Sequence, residues 1–275
     1  VEWPAGYPDE TLIPSFPPLD DPSVVTLDYF RDLPYDFVTL IENAIDVAHV
    51  PFTHAGTLSS RAKGIPLALK LDAPASPAGF NGTQIGTPEG LTKKTQFHAP
   101  IRWHQYSETP FFKFWILSYA VPIVPGRSRV NTRFILKTGA DADAADAEID
   151  AVDAGSDGTT KKKGGGGPLA KVVPWLVGLV LKTRLVLLPQ WMLHIGQGLT
   201  TDDDNIFLNH QERRVTMEGR GWARSYYLPT RSDLYVSQFR RWMDRFGDGG
   251  PFTAAEIERD LGRISLATPQ QLTDR

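Results

Sequence analysis

Glu42-Asn43-Ala44-Ile45-Asp46-Val47-Ala48-His49-Val50-Pro51-Phe52-Thr53-His54 decides how the rest of this 275-residue chain is read. Two imidazoles stand five residues apart, and a carboxylate precedes the first by three. On an unbroken helix, side chains at i and i+5 point well away from each other. Pro51 lacks the main-chain donor that a continuing helix needs, so the helix over 37–50 is predicted to end or deform there, with His49 at its end. A break between them lets His54 swing back toward His49. Two neutral histidines gathered in this way, joined by one carboxylate from elsewhere, make the 2-His-1-carboxylate face that holds non-haem Fe(II) and leaves positions open.

The longer pattern Glu-Asn-x-x-Asp-x-x-His-x-Pro-Phe-Thr-His over 42–54 resembles the iron motif of Rieske-type non-haem iron oxygenases, within them the branch of pheophorbide a oxygenase and chlorophyllide a oxygenase. Three further blocks carry the resemblance, in the same order. They are Arg31-Asp-Leu-Pro-Tyr-Asp36, Val121-Pro-Ile-Val-Pro-Gly-Arg-Ser-Arg129 and Thr201-Asp-Asp-Asp-Asn-Ile-Phe-Leu-Asn-His-Gln-Glu-Arg213. The resemblance implies that His49 and His54 are metal ligands. The third is an aspartate of the 202–204 triplet; counting eight residues back from Glu212 selects Asp204, with Asp203 as the alternative. Successive helical residues lie about 100° apart, so only one of the three should face the metal. The resemblance also gives Asp46 the part of an electron-transfer bridge. It would hydrogen-bond a site histidine and, across a subunit boundary, a histidine of an iron–sulfur cluster. Asn43 is expected close to the metal without binding it.

Cysteine is absent. A Rieske [2Fe–2S] centre needs two cysteines and two histidines, so these 275 residues cannot hold one. The cluster is expected from a missing domain or from another chain, with a reductase or ferredoxin as electron donor. A net charge of −3 with no basic stripe argues against nucleic-acid binding.

Composition shifts divide the chain. Residues 1–36 are expected to be a proline-rich linker leaving an absent Rieske domain, 37–263 a catalytic domain, and 264–275 a flexible tail. Within the domain, 139–167 is acidic, then basic, then glycine-rich, and is expected to be a disordered insertion, having little apolar area to offset its ordering entropy. The apolar run 169–188 is interrupted by Lys171, Pro174, Lys182 and Arg184 and is expected to be a buried or membrane-surface helix. Short β-rich runs are predicted at 67–71, 79–85, 91–97, 101–107, 113–121 and 128–137. Helices are predicted over 191–213, over 232–246 with a cap at Ser232, and from Thr253, where Thr253 and Glu256 form a capping box.

Strands between helices give an α+β fold. The resemblance refines this to a helix-grip (START-like) domain, an antiparallel sheet wrapped around a long C-terminal helix. Trp103, Tyr106, Phe114 and Trp115 are candidates to line a pocket, though aromatic strand residues are more often core. His98, His104, His194 and His210 are read as structural or surface residues.

The function expected is oxygenation of a chlorophyll-type tetrapyrrole with O₂ at mononuclear Fe(II). A trimeric assembly and a chloroplast location, at the stroma or a membrane surface, follow from the resemblance. The alternative is a non-catalytic tetrapyrrole-binding or regulatory subunit of a split oxygenase. A zinc hydrolase is disfavoured, since no general base stands as in HExxH.

Overall fold

The structure is a computed structural model that describes residues 15–87, 91–109, 112–138, 189–219, 221–253, 255–257 and 259–260. The expected insertion at 139–167, the apolar run 169–188, the tail 264–275 and the first part of the linker lie outside the described residues. Seven strands form one antiparallel sheet: β1 (Val25–Leu33), β2 (Ala68–Leu71), β3 (Gly79–Ile85), β4 (Thr92–His98), β5 (Arg102–Glu108), β6 (Phe112–Val124) and β7 (Arg127–Thr138). Their spatial order is β1-β7-β6-β5-β4-β3-β2, so β2 to β7 form a meander and β1 adds beside the last strand.

The six predicted strands are present, with ends that match or move by up to three residues. β1 falls within the expected linker and is a correction to it. Val25, Leu27, Tyr29 and Leu33 alternate in its sequence as a half-buried strand requires. The proline-rich stretch before them and the Arg31–Asp36 block after them masked that pattern. Between β6 and β7, Pro125-Gly126 makes the turn, with Gly126 at φ +72 in the left-handed region open to glycine.

Helices that accompany the sheet among the described residues include α1 (Phe37–Ile45), α2 (Val50–Thr53), α3 (Gln190–Glu218), α4 (Trp222–Ser225) and α5 (Leu234–Phe246). Asp36 caps α1 by accepting the Val38 amide at 2.9 Å. Phe37, Leu40, Ile41 and Ile45 form its buried stripe. α5 buries Tyr235, Val236, Phe239 and Trp242 against the same sheet face, where Phe80, Phe97 and Trp103 meet them. Gly82 leaves the room that Tyr235 fills, since a Cβ there would sit 2.2 Å from its ring. The cap of this region is not Ser232: Thr230 and Asp233 form a capping box that opens a single 3₁₀ turn, Arg231–Asp233, running into α5.

Among the described residues, the C-terminal helix packed into this core is therefore the 13-residue α5, not the longest one. α3 is 29 residues long and buries only Asp204, Leu208 and Asn209; it lies along β1 and α1. No helix among the described residues is long and apolar enough to cross a membrane.

The candidate aromatics divide between the two sheet faces. Trp103 belongs to the inner core, and Phe114 stacks on Phe134, which packs against that core. Tyr106 and Trp115, 5.2 Å apart by ring centroids, belong to a smaller cluster on the outer face with Leu117 and Ile135. They cannot line one pocket together.

Candidate metal centre

α1 ends at Ile45, earlier than the sequence predicts. Asp46 leaves the helix with ψ 90°, and its carboxylate turns back to accept the Ala48 amide at 2.9 Å. That Asx-type turn, rather than Pro51, breaks the helix. Pro51 instead sits in the first turn of α2, where a missing N–H leaves nothing unsatisfied. His49 precedes α2 and His54 follows it. One short turn thus replaces the divergent i,i+5 geometry, and the two rings approach to 5.3 Å between centroids.

α3 supplies the third group. Ligand atoms of His49, His54 and Asp204 all lie within 4.8 Å of one another. His49 Nε2 is 3.8 Å from Asp204 Oδ1, and His54 Nε2 is 3.4 Å from Asp204 Oδ2. His54 is 3% exposed and Asp204 9%.

The distal ring nitrogens are held as well. His49 Nδ1 meets the main-chain carbonyl of Asp46. A carbonyl only accepts, so Nδ1 carries the proton and Nε2 keeps its lone pair. His54 Nδ1 faces Asp203 Oδ2 at 3.4 Å, and the Thr57 hydroxyl donates to that same oxygen at 2.6 Å. Both rings therefore turn Nε2 toward Asp204, in the outer-shell arrangement common around metal-binding histidines.

The aspartate triplet separates by role, as 100° steps around a helix require. Asp202 pairs with Arg31 at 2.6 Å, Asp203 steadies His54, and Asp204 enters the three-residue group. The sequence alternatives Asp203 and Asp204 thus occupy different places. Asn43 hydrogen-bonds Asp204 and is not one of the three. Asp46 differs from expectation: its main-chain carbonyl, not its carboxylate, bonds His49, and the carboxylate lies 3.9 Å from His49 Nδ1.

Burial sets the charge states. It lowers the His49 pKa to about 4, so the ring is neutral at neutral pH. It raises Asp46 to about 6 and pushes Asp204 upward, against the opposing pull of His54 and Asn43. The neutral His49 ring, the His54 Nε2 turned to the same point and a desolvated carboxylate suit a divalent cation, whose charge would offset the cost of burying that carboxylate. The donor set therefore fits the non-haem iron read from the motif.

Several participants escaped the sequence reading. Glu42 is 4% exposed and takes the Arg240 guanidinium on both carboxylate oxygens, with Tyr226 donating to it at 3.1 Å. This buried pair joins α1 to α5 from behind the metal loop. Glu212 accepts the Asp36 amide at 2.6 Å, and its pKa rises to about 7, chiefly by burial. Glu212 and Arg240 border a cavity of about 220 Å³ with Thr39, Tyr226 and Phe252. Thr57 carries no signal in sequence, whereas Arg31 stands inside a quoted block.

The other histidines lie outside the three-residue group. His104 packs on Phe16, and burial lowers its pKa to about 3. His194 leans on Tyr29, and His210 is exposed. His98 stands opposite Arg102 in the β4–β5 register. Beside the metal loop, a cavity of about 60 Å³ is lined by Val47, Thr95, Gln105 and Tyr235, among others.

The family profile described as Pheophorbide a oxygenase matches residues 91–222. The chain is 27% identical over 267 residues to Protochlorophyllide-dependent translocon component 52, chloroplastic, of Arabidopsis thaliana, covering 90% of this chain and 45% of that protein. It is 22% identical over 292 residues to Pheophorbide a oxygenase, chloroplastic, of Oryza sativa subsp. japonica, covering 99% of this chain and 48% of that one. The chain spans about half the length of these curated relatives. Among solved structures, dicamba monooxygenase bound to dicamba is similar in fold, with a TM-score of 0.51 at 14% identity over 94% of this chain and 65% of that one. Over residues 91–222 the chain is thus similar to the pheophorbide a oxygenase family, and over most of its length to chloroplast proteins named as such oxygenases or as a translocon component.

Proposed function

We propose that this chain is the catalytic domain or subunit of a Rieske-type oxygenase that oxygenates a chlorophyll-type tetrapyrrole. The observation that carries the reading is the convergence of His49, His54 and Asp204 to within 4.8 Å. A ferrous ion bound there would supply the redox chemistry that brings O₂ to the substrate. The protein's own part is positional. His49 and His54 present Nε2, Asp204 adds one negative charge, and the Asp46 carbonyl with Asp203 keeps the rings from turning.

The Asp46 carboxylate is part-exposed beside His49, and we assign it the electron-transfer bridge to a cluster held outside these residues. That cluster would come from a Rieske protein or domain fed by a reductase or ferredoxin, in a trimeric assembly. The helix-grip description belongs to the same reading, with α5 as the gripped helix. A chloroplast location is inferred from the relatives' names.

Support for a tetrapyrrole comes from the family profile and from the relative named pheophorbide a oxygenase. Phe114, Ile116 and Phe134 are half-buried on the inner sheet face, near Gln105, which donates to the Ala44 carbonyl at 2.8 Å. They offer an apolar floor beside the metal loop. The 60 Å³ cavity is too small for a macrocycle as it stands, being far below the ~300–1,000 Å³ of typical ligand sites.

A second reading, a tetrapyrrole-binding or regulatory subunit, is favoured by the relative named as a translocon component. One experiment separates the two. The iron-loaded protein is mixed with a Rieske donor, reductant, O₂ and pheophorbide a, and the pigment is followed by absorbance and mass. Oxygenated product that disappears in His54→Ala supports the oxygenase. Tight pigment binding by metal-free protein, without turnover under any reductant, supports the binding subunit.

A further inference from the structure

We propose that Arg31 is the positioning residue for the third metal ligand, holding α3 in the rotation that aims Asp204 at the two histidines. The inference rests on the metal-centre reading above and adds a residue to it. Among the described residues α3 has little apolar packing to fix its position, since only Asp204, Leu208 and Asn209 are buried along its length. Polar contacts from one stretch of chain hold it instead. Tyr29 meets Thr201 at 3.1 Å, Asn209 donates to the Pro34 carbonyl at 2.6 Å, and the Asp36 amide donates to Glu212 at 2.6 Å.

Arg31 makes the contact that fixes rotation. Its Nη1 donates to the Gly198 carbonyl at 2.9 Å and its Nη2 to Asp202 Oδ1 at 2.6 Å, so one planar group grips two points a helical turn apart. Asp202 lies two residues before Asp204. A rotation that kept Asp202 off the guanidinium would carry Asp204 away from His49 and His54. A slip of one residue amounts to about 100° and 1.5 Å. Arg31 also answers one of three successive carboxylates, which lessens their mutual repulsion while Asp204 is buried.

Both partners are partly exposed, 29% for Arg31 and 53% for Asp202, so the pair adds little to global stability. Its effect should therefore appear in metal affinity. Co(II) is titrated into metal-free protein and followed by its visible absorption, for wild type, Arg31→Ala, Arg31→Lys, Asp202→Asn, His54→Ala and Asp204→Ala. Thermal unfolding of each metal-free protein is recorded in parallel.

The expected result is a loss of affinity of roughly 10- to 100-fold in Arg31→Ala, with an unfolding midpoint close to wild type. Lysine should rescue only in part, because a single ammonium cannot span the carbonyl and the carboxylate together. Asp202→Asn removes the charge pair from the helix side and must weaken Co(II) binding too; it decides the matter if Arg31→Ala unfolds. Wild-type affinity in both Arg31→Ala and Asp202→Asn, with binding lost in His54→Ala and Asp204→Ala, would overturn the inference and leave the metal centre standing. Undiminished binding in His54→Ala and Asp204→Ala would overturn both.

Discussion

Replacing Arg240 by methionine strands the Glu42 carboxylate in the interior. Glu42 is 4% exposed, and Arg240 meets both of its oxygens, Nη2 at 2.7 Å. Removing one partner of a buried ion pair costs about 3–5 kcal/mol, because the remaining charge is neither solvated nor paired. Tyr226 still donates to Glu42 at 3.1 Å, which places the expected loss at the low end, about 3 kcal/mol. In a chain of this size that lowers the melting temperature by roughly 6–12 °C.

The loss should depend on pH with a definite sign. Burial already raises the Glu42 pKa against the pull of Arg240, and without the cation it rises further. A carboxyl group raised in the folded state carries its penalty above the folded pKa and sheds it as pH falls toward the unfolded value. The deficit of Arg240→Met should therefore be larger at pH 8 than at pH 5. The double variant Glu42→Gln/Arg240→Met should recover most of it. Urea unfolding at both pH values, for the wild type, both single variants and the double, measures this. A loss below ~1 kcal/mol at pH 8, or an equal loss at both pH values, would refute the buried-pair account.

Glu212 gives an independent pH test. Its pKa of about 7, against an ordinary 4.5, costs stability as pH rises through 7, by at most about 3 kcal/mol. Glu212→Gln should thus melt higher than wild type at pH 8 and match it near pH 4.5, which calorimetry will show. Asp203→Asn should keep one metal ion per chain but weaken its binding about tenfold, through the looser His54 ring. Competition with a chelator of known affinity reads that change, and complete loss of metal would instead make Asp203 a ligand.

Much of the sheet was legible because its strands alternate and are punctuated by glycine and proline, as at Gly79–Ile85, whose ends match the prediction. β1 alternates equally well, but Arg31 breaks its apolar face. Only the structure shows that this inward arginine has a purpose, on Asp202. The metal loop was legible in its residues and misread in its mechanics. In sequence Pro51 reads as a helix terminator, yet at the start of α2 its missing donor is harmless, and the Asp46 turn makes the break.

The triplet shows the limit of spacing arguments. Helical geometry dictates that Asp202, Asp203 and Asp204 face three ways, but which way meets the histidines depends on how α3 lies on β1. That placement is set by contacts such as Arg31 to Gly198 and Asn209 to Pro34, between residues more than 160 positions apart. Arg240 escaped for the same reason. On an amphipathic helix it reads as a solvated residue, and its partner Glu42 is 198 positions away.

The central claim is that one ferrous ion sits among His49, His54 and Asp204. Anomalous diffraction at the iron edge, on crystals prepared with Fe(II) under anaerobic conditions, tests it most directly. The account predicts a single strong peak per chain, bounded by His49 Nε2, His54 Nε2 and the Asp204 carboxylate. Stoichiometric iron located elsewhere, or no peak between those three side chains in iron-saturated protein, would contradict it.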